Sequence, residues 1–223
     1  MQQTLDLYPL FNSVRIALIS TVIIFFTGSA AAYYVSRLPR IVKGILDVVL
    51  TLPLVLPPTV IGYLLLRTLG PQRAVGSFFL EYFDIRLTMT WWSTVFATTV
   101  VCFPLMYRTC RGAFESFDEN ISDAAKTLGF SGTYIFWRLR IPVCRPGITA
   151  GLVLSFARAL GEYGATSMIS GYIPGDTATI STTVYQLWRT ENDELAAKWV
   201  FINLLISFAV LMVINLMERK KSG

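Results

Sequence analysis

The sequence predicts an all-α, polytopic transmembrane helical bundle of five spans, forming one domain over residues 1–223. Three observations predict it. Of the 223 residues, 54% are hydrophobic and 15% are charged, against roughly 25% charged in an ordinary soluble domain. The mean hydropathy is +0.56. Four long stretches carry no charge and a fifth carries only two charges, each near the 20 or so residues that a helix needs to cross a bilayer. The same composition excludes a soluble globular domain and a disordered chain.

The first span is expected over 14–35. Ile16 to Val35 is uncharged, and Arg37 and Arg40 follow it rather than lead it. Its apolar run is too long for a cleavable signal peptide. The second, 48–66, begins just after Asp47 and contains Pro53, Pro57 and Pro58. The third, 87–107, is uncharged. The fourth, 146–170, is apolar apart from Arg158 and Glu162, and the fifth, 199–217, is uncharged. An odd number of spans puts the termini on opposite sides. With the N-terminus outside, twelve basic residues fall on the inner segments, six on the outer ones, and Arg158 within the membrane. That bias predicts a multi-pass protein of the plasma or inner membrane with a cytoplasmic C-terminus. Arg219, Lys220 and Lys221 contribute to the inner count.

Histidine is absent. Ser-His-Asp and Cys-His triads, His-ligated haem and HExxH zinc sites are therefore excluded. The three cysteines, Cys102, Cys110 and Cys144, form no CxxC pair and read as small packing residues. No catalytic residue, metal site or cofactor is expected in this chain. There is also no GxxxxGK[ST] phosphate loop, so any ATP that drives it must be bound and hydrolysed on a separate subunit.

Two connections are too long for simple turns: 108–145 on the inner side and 171–198 on the outer side. Within the first, Ile121, Ala124, Ala125 and Leu128 fall at i, i+3, i+4 and i+7 and share one face of a short helix. Ser122, Asp123, Lys126 and Thr127 point elsewhere. Asp123 is expected near the helix start, where its charge suits the dipole. Gly129 is placed to end the helix in a left-handed cap. Ser131 is placed to cap a further helix that runs through Trp137 and Leu139 and stops before Pro142. The alanine-rich stripe either lies on the membrane or the chain's own bundle, or plugs into a groove on another protein.

Asp123-Ala124-Ala125, three residues, Gly129, nine residues, then Leu139-Arg140-Ile141-Pro142 resembles the EAA loop of ABC importer permeases, Glu-Ala-Ala, x3, Gly, x9, Ile-x-Leu-Pro. The spacing is kept throughout. Asp stands for Glu, one methylene shorter, and the aliphatic pair is exchanged. The resemblance implies a type I ABC importer permease fold with a cytoplasmic coupling helix that docks on the ATPase subunit. Asp123, Ala124, Ala125, Leu128 and Gly129 would then form the coupling element.

The membrane itself holds polar groups. Arg158 and Glu162 lie one helical turn apart. An Arg at mid-bilayer costs about 2.5–3.5 kcal/mol on insertion scales, so both should face the bundle interior, a pore or a subunit interface. They read either as an ion pair fixing helix packing or as a charge pair beside a path, where Arg158 would attract an anion. Pro53, Pro57 and Pro58 break the backbone ladder of the second span, with Thr51 and Thr59 offering hydroxyls. That break reads as a packing kink or as a gate in a pathway wall.

Ala157-Arg-Ala-Leu-Gly-Glu-Tyr-Gly-Ala-Thr166, Leu56-Pro-Pro-Thr-Val-Ile-Gly62 and Gly171-Tyr-Ile-Pro-Gly175 with Thr179 to Tyr185 resemble the permeases of molybdate importers, with sulfate permeases as close relatives. The resemblance covers nearly the whole chain. It implies ATP-driven import of a tetrahedral oxyanion by alternating access, with Arg158, Glu162, Pro57, Pro58 and Thr59 at the translocation path. It further implies a homodimer, two ATP-binding subunits on the cytoplasmic side and an extracytoplasmic oxyanion-binding protein, with no nucleic-acid partner. The competing readings are a tungstate or sulfate permease and, in a different class, an ion-coupled secondary transporter or channel. The last would need intramembrane carboxylates, of which only Glu162 qualifies, and no inverted repeat is apparent.

Overall fold

A computed structural model of the chain describes residues 6–219, with side-chain environments as far as Met212. Lys220 and Lys221, two of the cations expected on the inner side, lie outside the described residues. All regular structure among the described residues is helical. In order the helices are α1 (Tyr8–Ser36), α2 (Arg40–Val55), α3 (Pro58–Leu69), α4 (Ala74–Phe83), α5 (Trp91–Glu115), α6 (Glu119–Thr127), α7 (Gly132–Ile135), α8 (Ile141–Leu160), α9 (Gly164–Ile169), α10 (Ile180–Arg189) and α11 (Asp193–Arg219). A π-helical turn, Phe136–Arg140, joins α7 to α8.

The core lies where α1, α5 and α8 meet. Ala17, Ile24, Cys102, Met106, Tyr107 and Cys110 are fully buried there. Close approach rests on small residues. Gly147 and Gly151 lie four apart on α8, and an added Cβ would come within 2.5 Å of Ala113 Cβ and 2.9 Å of Met106 Sδ respectively. Membrane helices associate through such contacts because lipid supplies no hydrophobic drive between them. All three cysteines are free and buried.

Among the described residues three helices are long and apolar enough to cross a membrane: α1, the unbroken run Gly132–Leu160 and α11. α2 and α3 together are as long and apolar but are bent by 109°. α5, where a third span was expected, is less apolar than these. Its Ser93, Thr94 and Thr98 are buried in the protein rather than facing lipid. Thr98 donates to the Thr94 carbonyl at 2.9 Å, and Ser93 and Ser170 share a hydrogen bond of 2.8 Å. A helix enclosed by other helices need not be uniformly apolar.

Three boundaries differ from the sequence expectation. The second span is an elbow, because Leu56 and Pro57 each precede a proline and adopt extended ψ values of 141° and 136°. The helix of the fourth begins at Gly132 rather than 146, so the connection expected over 108–145 shrinks to 116–131. The helix also does not stop before Pro142. Proline lacks an N–H and its ring crowds the carbonyl four residues back, and the widened π turn immediately before Pro142 absorbs both defects.

The two ends of the bundle are tied differently. At the end where α1 begins, Asn12 Nδ2 donates to the carbonyls of Asp176 and Ala178 at 3.0 and 2.8 Å, and Asn12 Oδ1 accepts from Trp91 Nε1 at 2.7 Å. Ser13 Oγ accepts the Ile180 N–H at 2.8 Å. The long connection after α9 is therefore pinned to α1 and α5. At the other end Tyr33 meets Phe114 and Phe136 edge-on, with centroids 5.6 and 4.7 Å apart. α2, which has no fully buried residue, packs Leu46 and Leu50 against the core and is held there also by ion pairs: Lys43 with Glu115 at 3.1 Å and Asp47 with Arg111 at 2.5 Å.

Asn12→Ala leaves the indole N–H and two carbonyls without their partner. The expected loss is about 1–3 kcal/mol, read as a lower unfolding temperature of the purified protein, with faster proteolysis between residues 171 and 180. An unchanged temperature and cleavage rate would show that the connection is held by other means.

Candidate functional site

The predicted path residues converge on the meeting of two backbone breaks. The first is the α2–α3 elbow. The second lies at 161–163, where the helix ending at Leu160 gives way to α9. α3 lies against α9, and glycine is required at both crossings. A Cβ on Gly62 would sit 2.8 Å from Ala165 Cα, and one on Gly164 would sit 2.9 Å from Pro58 Cβ and 3.1 Å from the Thr59 nitrogen. Each break is thereby covered by the other. Pro58 is half-buried, while Pro57 and Thr59 are exposed. The Thr51 hydroxyl is committed to the Asp47 carbonyl of its own helix at 2.6 Å.

Arg158 and Glu162 pair as their spacing requires, with Nη1 to Oε2 at 2.7 Å. They are not equivalent. The Glu162 side chain is 1% exposed and that of Arg158 is 36% exposed. Glu162 Oε1 also accepts the Ala165 N–H at 2.8 Å, so its carboxylate closes the first turn of α9. Around it, Ser13, Thr94, Thr98, Thr166 and Thr179 bound a void of about 10 Å³. That volume holds one water at most and no tetrahedral anion. Glu162 is thus an internal strut, and Arg158 is the member of the pair with surface to offer a solute.

The coupling candidates lie at the opposite end of the long helix. Asp118 rather than Asp123 caps α6, accepting the Asn120 N–H at 2.9 Å, and Glu119 supplies the charge in the first turn. Asp123 sits mid-helix and pairs with Lys126 at 2.9 Å. Gly129 has φ +84°. The Phe130 N–H reaches the Ala125 carbonyl at 3.1 Å and the Gly129 N–H reaches that of Lys126 at 2.9 Å, the paired bonds of a Schellman cap. Ser131 caps α7 through the Tyr134 N–H at 3.3 Å. The stripe itself divides. Ala125 turns into the protein together with Ser122, which the periodicity had pointed away, while Ala124, Ile121 (43% exposed) and Leu128 (76%) stay uncovered. Phe130, 43% exposed, extends the uncovered patch.

A larger cavity of about 780 Å³ lies between α1 and the α7–α8 run, walled by Phe25, Phe26, Tyr33, Tyr34, Phe136 and Trp137. Arg145 is its one charged lining residue, and none of the predicted path residues lines it. Aromatic walls of that kind suit apolar chains better than a hydrated dianion. Sequence reasoning also missed Asn12, Glu119, Arg140, Gly62 and Gly164. Asp118-Glu119-Asn120 before an amphipathic run was a readable helix start. The partners of the other four are distant in sequence and left no local signal.

Residues 23–222 match the family described as the binding-protein-dependent transport system inner membrane component. The chain belongs to that family. It is 40% identical to the molybdenum transport system permease protein ModB of Escherichia coli (strain K12) over 178 residues, 79% of this chain and 78% of the relative. To ModB of Azotobacter vinelandii it is 32% identical over 221 residues, 98% of this chain and 96% of the relative. These relatives are permease proteins, transport components rather than enzymes. The fold is that of ABC importers. A chain of a bacterial alginate ABC transporter superposes with a TM-score of 0.80 at 17% identity, covering 100% of this chain and 81% of that one. A chain of the MetNI methionine transporter, inward facing, gives 0.64 at 13% identity, covering 93% of each. The protein is a multi-pass membrane permease that works within an ABC transporter complex.

Gly164→Val wedges the two breaks apart and is expected to cost about 1–3 kcal/mol, seen as a lower unfolding temperature in detergent. Arg158→Gln leaves the Glu162 carboxylate buried and unpaired, at a cost of about 3 kcal/mol, whereas Arg158→Lys retains most of the stability. Equal unfolding temperatures for the Gln and Lys variants would remove the ion pair from the account.

Proposed function

We propose that this permease carries molybdate into the cytoplasm as a homodimer, driven by two ATP-binding subunits and supplied by an extracytoplasmic oxyanion-binding protein. The names of its full-length relatives support the substrate class. The observation that carries the drive mechanism is the uncovered apolar patch on α6. Ala124, Ile121 and Leu128 stand out exposed from an otherwise polar connection, with Phe130, stacked on Tyr134, beyond the glycine cap. Contiguous apolar residues left exposed on a short helix support a partner surface, and the small residue among them admits close approach of a groove.

In this reading α6 docks on the ATPase subunit with its exposed alanine face, while Ala125 and Ser122 seat the helix on the permease. Closure of the ATPase pair draws the two coupling helices together. The displacement reaches the membrane through the helix beginning at Gly132 and tilts the spans around the α3–α9 crossing, so that the path opens outward; hydrolysis resets it inward. The path runs past the α2–α3 elbow and the exposed side of Arg158, on the axis between two copies, where symmetry gives a width that one copy lacks. A partly solvated Arg158 attracts the dianion without trapping it. Selectivity among molybdate, tungstate and sulfate then rests with the binding protein.

The orientation proposed is N-terminus outside. α6, Arg111, Arg138, Arg140 and Arg145 then lie on the cytoplasmic side.

Leu128→Asp puts a charge into the docking patch without touching the permease core. The expected result is loss of the co-purifying ATPase subunit and at least a tenfold fall, about 1.4 kcal/mol or more of interface energy, in ATP-driven molybdate uptake by proteoliposomes. Full uptake with the ATPase subunit retained would remove α6 from the coupling role.

A further inference from the structure

The contact between α6 and the long helix is built from charge. Arg140 stands in the π turn between α7 and α8, its side chain 4% exposed. Its Nη2 donates to both carboxylate oxygens of Glu119, at 2.6 and 2.7 Å, and its guanidinium lies over the Phe117 ring at 4.5 Å. Glu119 is the first residue of α6 and Phe117 lies just before it. Twenty-one residues of chain separate the paired side chains.

α6 has nine residues and buries only Ser122 and Ala125. A helix of that length is marginal alone, and the segments 116–118 and 128–131 that flank it are not helical. A displacement applied to α6 therefore reaches the membrane either through these segments, which yield, or through side chains. The Glu119 contact is the stiffer route. Both carboxylate oxygens lie on the one Nη2, a short charge-assisted contact, and the guanidinium is seated on the Phe117 ring. Separation would leave the Arg140 cation buried without a partner, which opposes opening of the contact. Arg140 is in turn part of an unbroken helical run to Leu160. Arg158 lies 18 residues further along, about 27 Å at 1.5 Å per residue.

We infer that the Arg140–Glu119 pair is the positioning contact that makes the coupling helix and the path-bearing helix move as one body. This inference rests on the coupling role proposed for α6. Arg140 and Glu119 touch neither solute nor nucleotide; they set how much of the ATPase stroke arrives at Arg158.

The test uses the reconstituted complex of permease, ATPase subunit and binding protein in proteoliposomes, with molybdate uptake and phosphate release measured on the same sample. Glu119→Gln removes the charge from the exposed partner, and Arg140→Lys keeps the buried charge but loses the planar guanidinium that lies over Phe117 while reaching Glu119. Both should retain the ATPase subunit and continue to hydrolyse ATP, while molybdate moved per ATP falls about fivefold or more. A ratio within about twofold of the unsubstituted protein in both variants overturns the inference, as does a parallel fall in uptake and hydrolysis that leaves the ratio intact. Leu128→Asp separates the two levels. If it abolishes ATPase docking while Glu119→Gln leaves the ratio unchanged, coupling through α6 stands and the Arg140 strut falls. If Leu128→Asp has no effect, the coupling reading itself falls.

Discussion

A backbone that leaves helical geometry inside a bilayer must find its hydrogen bonds and its cover within the protein or in water. This chain leaves it twice, at Leu56–Pro57 and at 161–163, and the two departures answer each other. Gly62 and Gly164 let the elbow of the second span and the start of α9 approach to backbone contact. Glu162 supplies the acceptor that the Ala165 N–H requires. Burying that carboxylate calls for a cation, which fixes Arg158 one turn earlier on the preceding helix. The pairing of Arg158 with Glu162 thus follows from the satisfaction of an interrupted helix.

The rest of the bundle is arranged so that this crossing is held at one end and addressable from the other. α1, α5 and α8 form a tightly packed centre around Met106 and Tyr107. Asn12 and Ser13 fasten the long connection after α9 across the end where α1 begins. At the opposite end aromatic packing around Tyr33 is joined by ion pairs, with α2 held by Asp47 and Lys43 as well as by Leu46 and Leu50 against the core, and α6 held in part by Arg140. α2 has no fully buried residue and ends in the elbow.

Much of α6 and its surroundings could be read from the chain because the signals are local. Gly129 at the end of an amphipathic turn, Ser131 at the next helix start and the spacing to Pro142 each act within a few residues. Where local rules competed, tertiary context won. Pro142 was expected to end a helix, and a π turn carries the helix through it. Asp123 was expected near a helix start, but Asp118 took the cap five residues earlier. Ala125 and Ala124 look alike in a periodicity, yet one is buried and the other exposed, because the bundle against which α6 rests is assembled from segments far away in sequence.

By itself, the sequence determined that the protein is a helical membrane bundle, that Pro57 and Pro58 interrupt its second span and that Arg158 and Glu162 pair within the bundle, since hydropathy, proline sterics and i,i+4 spacing act over a single turn or a single span. Only the tertiary structure decided that the two breaks face each other, that Glu162 is enclosed while Arg158 is not, and that Arg140 grips Glu119. Those outcomes depend on which helices pack together, and packing is set by close contacts between residues tens of positions apart.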